Sequence, residues 1–437
     1  MSPRELAFKI LKNALSGATY SNIAIDNALK KNELSPADAG LLTAIVMGVT
    51  ERRLTLDYLI ERLSSRPDEV ESDTRILLQM GIYQVTYLDR IPEYAAVNET
   101  VSLAPRRCRG FVNAVMREYL RRKQKGILKE LFPSEESEPV AFLSIYYSFP
   151  EDMCERFLSI YGIDRTKQIF EIFNRPPKLT LRINTLKISR EDYARLLDER
   201  KIRYTLSKRL ENAILLESVN FGALPGFDEG YFFVQDEASQ VCVEAVDAKR
   251  GMLMIDACSC PGSKSFGSAI KMGNEGKILA FDLHASKLSL IDKSAERLGI
   301  DVITAAVRDG RDLDEGLVGQ ADRVLCDVPC SGVGVIGKKP EIRYKSLSDF
   351  ARLPEIQLAI LENCSKYVKD GGILVYSTCT VLPEENEMNV EKFLSAHPEF
   401  TPVDFTVGDI QSEGGMLSLS PDMHGTDGFF VAKFIKN

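Results

Sequence analysis

Two rhythms of apolar and polar positions divide the chain. In residues 1–127 apolar side chains recur every third or fourth position. Ala7, Ile10, Leu11, Ala14 and Leu15 form one stripe, Leu41, Leu42, Ile45, Val46 and Val49 a second, and Ile76, Leu77, Met80, Tyr83, Tyr87 and Leu88 a third. This spacing predicts amphipathic helices around a shared core. Ser2-Pro3-Arg4-Glu5 is a capping box with proline at the first helical position, and Ser35-Pro36-Ala37-Asp38 starts another helix in the same way. From Gln235 onward the rhythm changes to short apolar runs alternating with helical patterns. The strand candidates are Met252–Ile255, Ile278–Phe281, Val302–Ala306, Arg323–Cys326 and Ile373–Tyr376, with Gly428–Ile435 as a final strand. Leu353, Ile356, Ile360, Leu361, Cys364, Tyr367 and Val368 mark one helix face, which Gly371-Gly372 is expected to end. Such alternation predicts an open parallel sheet with helices on both faces.

The stretch between these two regions is mixed. Ser148-Phe149-Pro150-Glu151 is expected to open a helix and Pro176-Pro177 to close the helical part. Leu179–Asn184 reads as a strand, Ser189-Arg190-Glu191-Asp192 as a helix cap, and two more short strands reach about Glu217. The expected organisation is an all-α domain over 1–127, a small α+β linker domain over 128–235 and a Rossmann-like α/β domain over 236–437.

Composition narrows the function classes. A chain of 437 residues has room for two or three cores, and its 27% charged and 44% apolar residues are ordinary for a globular protein. No apolar run approaches the roughly 18 residues of a membrane span, and the charged N-terminus lacks a signal-peptide core, so a cytoplasmic location is expected. Nine cysteines are an odd count for a disulfide framework. Three histidines (His284, His397, His424) and the spacing Cys258-x-Cys260 argue against zinc, so no metal is expected and reduced cysteines, some of them catalytic, are. The net charge of −8 offers no general attraction to nucleic acid. Between Pro105 and Lys125, however, stand Arg106, Arg107, Arg109, Arg117, Arg121, Arg122, Lys123 and Lys125 against one acid, Glu118. A local basic patch on an acidic protein suits a polyanion, and its plain alternative is a solvated helix face.

The stretch with the most chemical content is Met252–Phe266, MLMIDACSCPGSKSF. An apolar run ends at Asp256, a turn holds Pro261-Gly262, and Lys264-Ser265 begins a helix. A phosphate-binding loop requires glycines where this chain has Ser263 and Cys258, and the dinucleotide pattern is absent as well. What remains is a nucleotide-like ligand without a phosphate chain, a description that S-adenosylmethionine fits. The other strands also deliver polar residues to their carboxyl ends, where ligands of such sheets bind. Asp282, 20 residues past Gly262, suits ribose hydroxyls, and Asp309 in Arg308-Asp309-Gly310 suits an adenine amino group. The fourth strand ends in Asp327-Val328-Pro329-Cys330 and the fifth in Ser377-Thr378-Cys379-Thr380. Cys330 and Cys379 are both candidate nucleophiles, and spacing does not choose between them.

The segments DACSCPGSKS, DVPCSGVGVIGKKPEIRYK, LVYSTCTVLPEEN and HGTDGFFVAKF together resemble the bacterial 16S ribosomal RNA cytosine-5 methyltransferase B group. IPEYAAVNETVSLAP and GFVNAVM, in the first 125 residues, resemble NusB-type helical RNA-binding domains. The resemblance implies S-adenosylmethionine-dependent methylation of C5 of a cytosine in 16S ribosomal RNA, either naked or in an early assembly intermediate, with no obligate protein partner. It implies Cys379 as nucleophile, Cys330 in proton removal or product release, and Asp327 at the cytosine edge, with Lys264 orienting Asp327 or the base. The cofactor would contact Cys258, Ser259, Cys260, Pro261, Gly262, Ser263, Lys264, Asp282, Asp309 and Asp327. Gly337–Lys345, with four positive charges and Tyr344, is expected to offer phosphate contacts and a stacking surface. The chain departs from the group's usual A-P-G-G-K-T in having Ser263 for the second glycine, and it has Thr380 where serine is common. Two rival functions are an RNA-binding adaptor with an inactive methyltransferase fold and a DNA cytosine-5 methyltransferase, the latter favouring Cys330 as nucleophile.

Overall fold

A computed structural model describes residues 1–14, 21–217 and 221–437; Leu15 of the first stripe lies outside them. The chain forms two compact units, Met1–Arg175 with Gly337–Leu347, and Pro176–Ile336 with Ser348–Asn437. The division between the two units falls after Arg175.

The first unit is helical: α1 (Pro3–Ala14), α2 (Ser21–Lys31), α3 (Pro36–Glu51), α4 (Arg53–Leu63), α5 (Ser72–Tyr87), α6 (Glu93–Leu103), α7 (Arg109–Gln124), α8 (Pro139–Tyr147) and α9 (Glu151–Phe173). The capping box closes reciprocally, since Glu5 N–H donates to Ser2 Oγ at 3.2 Å and Ser2 N–H to Glu5 Oε2 at 2.8 Å. Ser35 caps α3 in the same manner through Asp38 N–H at 3.1 Å. The predicted stripes meet in one core that includes Leu11, Leu42, Val46, Ile60, Leu78 and Met116. The segment Ser148-Phe149-Pro150-Glu151 opens α9 at Glu151 as expected, with Pro150 as N-cap, while Ser148 takes a left-handed conformation (φ 64°) and terminates α8.

In the second unit a four-stranded antiparallel sheet holds β1 (Leu179–Ile183), β2 (Tyr204–Leu206), β3 (Ala213–Leu216) and β4 (Phe232–Val234) in the order β2-β3-β1-β4, with α10 (Arg190–Glu199) after β1. Then follow α11 (Glu237–Val246), β5 (Leu253–Asp256), α12 (Ser263–Lys271), β6 (Lys277–Asp282), α13 (Ala285–Leu298), β7 (Ile303–Val307), β8 (Ala321–Asp327), α14 (Leu353–Ser365), β9 (Val368–Thr378) and α15 (Glu387–Ala396). The chain ends with β10 (Phe400–Pro402), β11 (Thr406–Val407), β12 (Ile410–Gln411), β13 (Met416–Leu419), α16 (Pro421–His424) and β14 (Phe429–Lys436). The large sheet runs β10-β14-β9-β8-β5-β6-β7. Its parallel part matches the predicted strands. β14 is antiparallel and lies between β9 and β10, so the sheet is mixed and not wholly parallel. Gly371-Gly372 sits inside β9, where Gly371 has φ +73°, and α14 has already ended at Ser365.

Arg182 on β1 and Asn184 just past its end tie the small sheet to the large one. Arg182, 1% exposed, donates to Glu244 Oε1 on α11 at 3.2 Å and to Gln235 Oε1 at 3.4 Å. Asn184 Nδ2 donates to the carbonyls of Gly230 and Leu298. Gln235 also donates to the carbonyl of Ser263 at 3.1 Å, so this buried network reaches the first turn of α12. Among the described residues, no helix is long and apolar enough to cross a membrane.

Candidate active site

β5 pairs in parallel with β6 on one side and β8 on the other, so the strand order switches at β5, the point at which sheets of this kind open a crevice at their carboxyl edge. The turn after β5 is pinned there. Ser259 N–H and Oγ both donate to the Phe281 carbonyl, at 2.7 and 3.1 Å, and Gly262 N–H donates to the Ser259 carbonyl at 2.6 Å. The Cys260–Pro261 peptide is cis. Gly262 has φ +105°, and a Cβ there would lie 2.5 Å from the Phe266 ring, so only glycine fits. It is the N-cap of α12 and has no side-chain capping bond, which leaves the helix N–H groups facing the crevice. Asp256 is fully buried; its Oδ2 accepts from Ser265 Oγ at 2.6 Å, while Oδ1 finds no donor. Burial pushes its carboxyl up to about 7, against the lowering effect of Ser265.

Asp282 ends β6 and caps the next turn through His284 N–H at 2.9 Å. The adjoining Leu283 side chain is 54% exposed, as is that of Val307 at the end of β7. Burial, followed by the nearby Asp282 carboxylate, raises the Cys260 thiol to about 11. Asp309 is already engaged: Arg311 Nε and Nη2 take both its oxygens, at 2.9 and 2.5 Å, and hold it below the usual carboxylate range. Cys258 is half-buried, and among the described residues its sulfur has no hydrogen-bond partner.

On the other side of β5 the ends of β8 and β9 converge. Asp327 Oδ2 accepts from Lys264 Nζ at 2.5 Å, and Oδ1 from Ser377 Oγ at 2.8 Å. Burial alone would depress the Lys264 ammonium, but Asp327, with Cys242 and Cys379, carries it above its ordinary range. Phe429 lies 5.2 Å from that ammonium. Cys330 Sγ and Cys379 Sγ are 3.1 Å apart, and Cys379 N–H donates to Cys330 Sγ at 3.2 Å. The Cys379 contact and burial together raise Cys330 far above a free thiol. The sequence-derived pair thus shares one point beside the Lys264–Asp327 ion pair. Gly334 N–H donates to the Cys379 carbonyl and Gly428 N–H to the Gly334 carbonyl. A Cβ on Gly334 would meet the Gly428 carbonyl at 2.0 Å, so the three loops interlock only around glycine.

Known proteins place this geometry. The description "16S rRNA methyltransferase RsmB/F" matches residues 243–435, "NusB family" matches 1–121, and "Methyltr_RsmF/B-like, ferredoxin-like domain" matches 149–220. The chain is 36% identical to the Bacillus subtilis protein named probable ribosomal RNA small subunit methyltransferase B, over 100% of this chain and 99% of that one. It is 37% identical to the Synechocystis protein of the same name, over the full length of both. The chain belongs to the RsmB/F family of 16S rRNA methyltransferases. A solved methyltransferase homologue from Pyrococcus horikoshii superposes with a TM-score of 0.61 at 27% identity, covering 69% of this chain and 100% of that one.

Two features of this family member depart from the sequence reading. Gly337–Lys345 is not an open basic loop. Arg343 is fully buried in the helical unit, donating to the carbonyls of Glu51 and Ser148 and to Asn174 Oδ1. The Tyr344 hydroxyl donates to the Glu51 carbonyl at 3.0 Å, and its ring lies under Arg53. An interior guanidinium and a covered ring cannot serve phosphate contact and base stacking; Lys339 and Lys345 alone of this stretch are exposed. The second feature is a polar brace that the strand-end reading missed. Ser331 Oγ donates to Thr380 Oγ1 at 2.8 Å, Thr378 Oγ1 to Asn386 Oδ1 at 2.5 Å, and Asn386 Nδ2 to the Thr380 carbonyl at 3.1 Å. Its one sequence signal was Glu385-Asn386 in the matching segment, where neither residue was given a task.

Proposed function

We propose that this protein transfers a methyl group from S-adenosylmethionine to C5 of one cytosine in 16S ribosomal RNA through a covalent bond between Cys379 Sγ and C6 of the base. The observation that carries this reading is the sulfur pair at 3.1 Å beside the Lys264–Asp327 ion pair, at the carboxyl edge of the sheet. The match to the NusB family over residues 1–121 supports RNA over DNA as substrate.

The crevice suits the donor. The uncapped N-terminus of α12 offers N–H groups to its carboxylate, and the turn Cys258-Ser259-Cys260-Pro261-Gly262-Ser263 that leads into it would line the cofactor. Asp282 would take the ribose hydroxyls, with Leu283 and Val307 as apolar faces for the adenine. Asp309 would take the adenine amino group in exchange for part of its pairing with the half-exposed Arg311. When bound, S-adenosylmethionine supplies an electrophilic methyl group on its sulfonium.

The protein side chains make C5 reactive. Addition of the Cys379 thiolate to C6 turns C5 into an enamine carbon, splitting one difficult step into easier ones. Asp327, fixed by Lys264 and Ser377, would hold the N3/N4 edge and favour protonation at N3 as the bond forms. After transfer, Cys330, once its own proton has passed to water, takes the C5 proton; the C5–H electron pair re-forms the C5–C6 double bond, the C6–Sγ bond breaks, and its electron pair returns to Cys379. The base must leave its stack to reach these sulfurs.

The test is a pair of variants. Cys379→Ala should abolish methyl transfer to a 16S ribosomal RNA transcript while calorimetry shows unchanged S-adenosylmethionine binding. Cys330→Ala should accumulate a protein–RNA species that survives a denaturing gel. Full transfer by the first variant would overturn the nucleophile, and no retained species with the second would remove Cys330 from product release.

A further inference from the structure

Cys330 is gripped on both sides by side chains remote in sequence. Gln357 Nε2 donates to the carbonyl of Pro329 at 3.0 Å and to Glu385 Oε2 at 2.7 Å. The same Glu385 oxygen accepts the N–H of Ser331 at 2.9 Å. One amide and one carboxylate therefore fix the peptide units flanking Cys330. Yet Glu385 is 2% exposed, and its other oxygen, Oε1, is buried without a donor. Leaving half of a carboxylate unsatisfied is costly, and a glutamine would brace the loop equally well. The negative charge itself requires a reason.

The two cysteines see opposite charges. Glu385 acts on Cys330, and its charge adds to the effects of Cys379 and burial in holding the proton there. Tyr376, whose hydroxyl donates to the Glu385 carbonyl, faces both Cys330 and Glu385 and is itself kept protonated by burial. The Lys264 ammonium interacts with Cys379. An anion beside one sulfur, and near the other a cation already paired with Asp327, break the symmetry of the two sulfurs.

We propose that Glu385 is a positioning residue for Cys330: it holds that loop against Cys379 and, by its charge, makes Cys330 the thiol and Cys379 the thiolate of the pair. The catalytic consequence rests on the function proposed above. A thiolate is thereby reserved for C6, and Cys330, after yielding its own proton to water, is left a strong base for the C5 proton.

Alkylation tests this without the transfer reaction. The purified full chain, without RNA, is titrated with iodoacetamide from pH 6 to pH 10 and the cysteines are read by peptide mass spectrometry. In the unaltered protein Cys379 should react at lower pH than Cys330; the reverse order overturns the proposal. In Glu385→Gln the ratio of Cys330 to Cys379 labelling at pH 7 should rise about tenfold, with thermal melting and S-adenosylmethionine affinity unchanged. Glu385→Asp, which keeps the charge, should keep the original order. A merely structural role would change both cysteines alike in either variant, and an unchanged ratio in a folded Glu385→Gln protein also rejects the idea. Because labelling needs no turnover, a failed Cys379→Ala result and a failed labelling result are separable.

Discussion

Asp256 shows how one side chain can tie the crevice to pH. Its carboxyl is buried, with a single side-chain donor, and its proton is retained up to about pH 7. The unfolded chain loses that proton near pH 4. Between these values the folded state binds more protons than the unfolded state, so stability falls as pH rises through the window and levels off above it. The contribution is on the order of 2–4 kcal/mol. Asp256→Asn retains an acceptor for Ser265 Oγ and removes the titration. Denaturant unfolding at pH 5 and pH 7.5 should therefore show a smaller loss of stability in the variant than in the unaltered protein. Equal losses would mean that Asp256 is ionised in the fold.

At the scale of elements, the apolar rhythm was legible wherever a strand or helix buries one continuous face. β5 to β9 lie within a few residues of their predicted runs, and Ser2 and Ser35 cap the helices they were expected to cap. The misreadings share a cause: a local pattern was satisfied by a distant partner. Gly371-Gly372 has the composition of a helix stop but provides a positive-φ step within β9. Ser148-Phe149-Pro150-Glu151 does open α9 at Glu151, although Ser148 itself ends α8. Arg343 and Tyr344 have the composition of an RNA-facing loop, and nothing local reveals that Glu51, Ser148 and Asn174 supply acceptors for the guanidinium. The site divides similarly. Strand ends disclosed Asp327, Cys330 and Cys379, whereas Gln357 and Glu385 act through contacts 28 residues apart. The segment around Arg343 provides a direct check. Arg343→Met removes a donor from three acceptors, of which the Glu51 carbonyl keeps the Tyr344 hydroxyl, and should cost about 2–4 kcal/mol in denaturant unfolding. It should leave the salt dependence of RNA binding unchanged, and a flatter salt dependence would restore the phosphate-contact reading.

For the whole molecule, the question is how a chain of net charge −8 holds a polyanion. The eight cations between Arg106 and Lys125 are unequal. Arg121 and Arg122 share Glu118, Lys123 pairs with Glu93, and Arg107 with Glu71. Arg109 donates to the carbonyls of Ser102 and Ala104, closing the end of α6. Arg106, Arg117 and Lys125 are exposed and make no ion pair among the described residues. Paired cations contribute less to counterion release, because a phosphate must first displace the acid already held. RNA affinity measured between 50 and 300 mM salt should give a log–log slope that drops by about 0.7 for each unpaired cation removed. Arg106→Ala with Arg117→Ala should thus flatten the line by about 1.4, whereas Arg121→Ala with Arg122→Ala, which also frees Glu118, should flatten it less. Equal slopes for the two double variants would show that RNA is held elsewhere on the surface, leaving the basic run of α7 to its other evident task of neutralising that helix's carboxyl end.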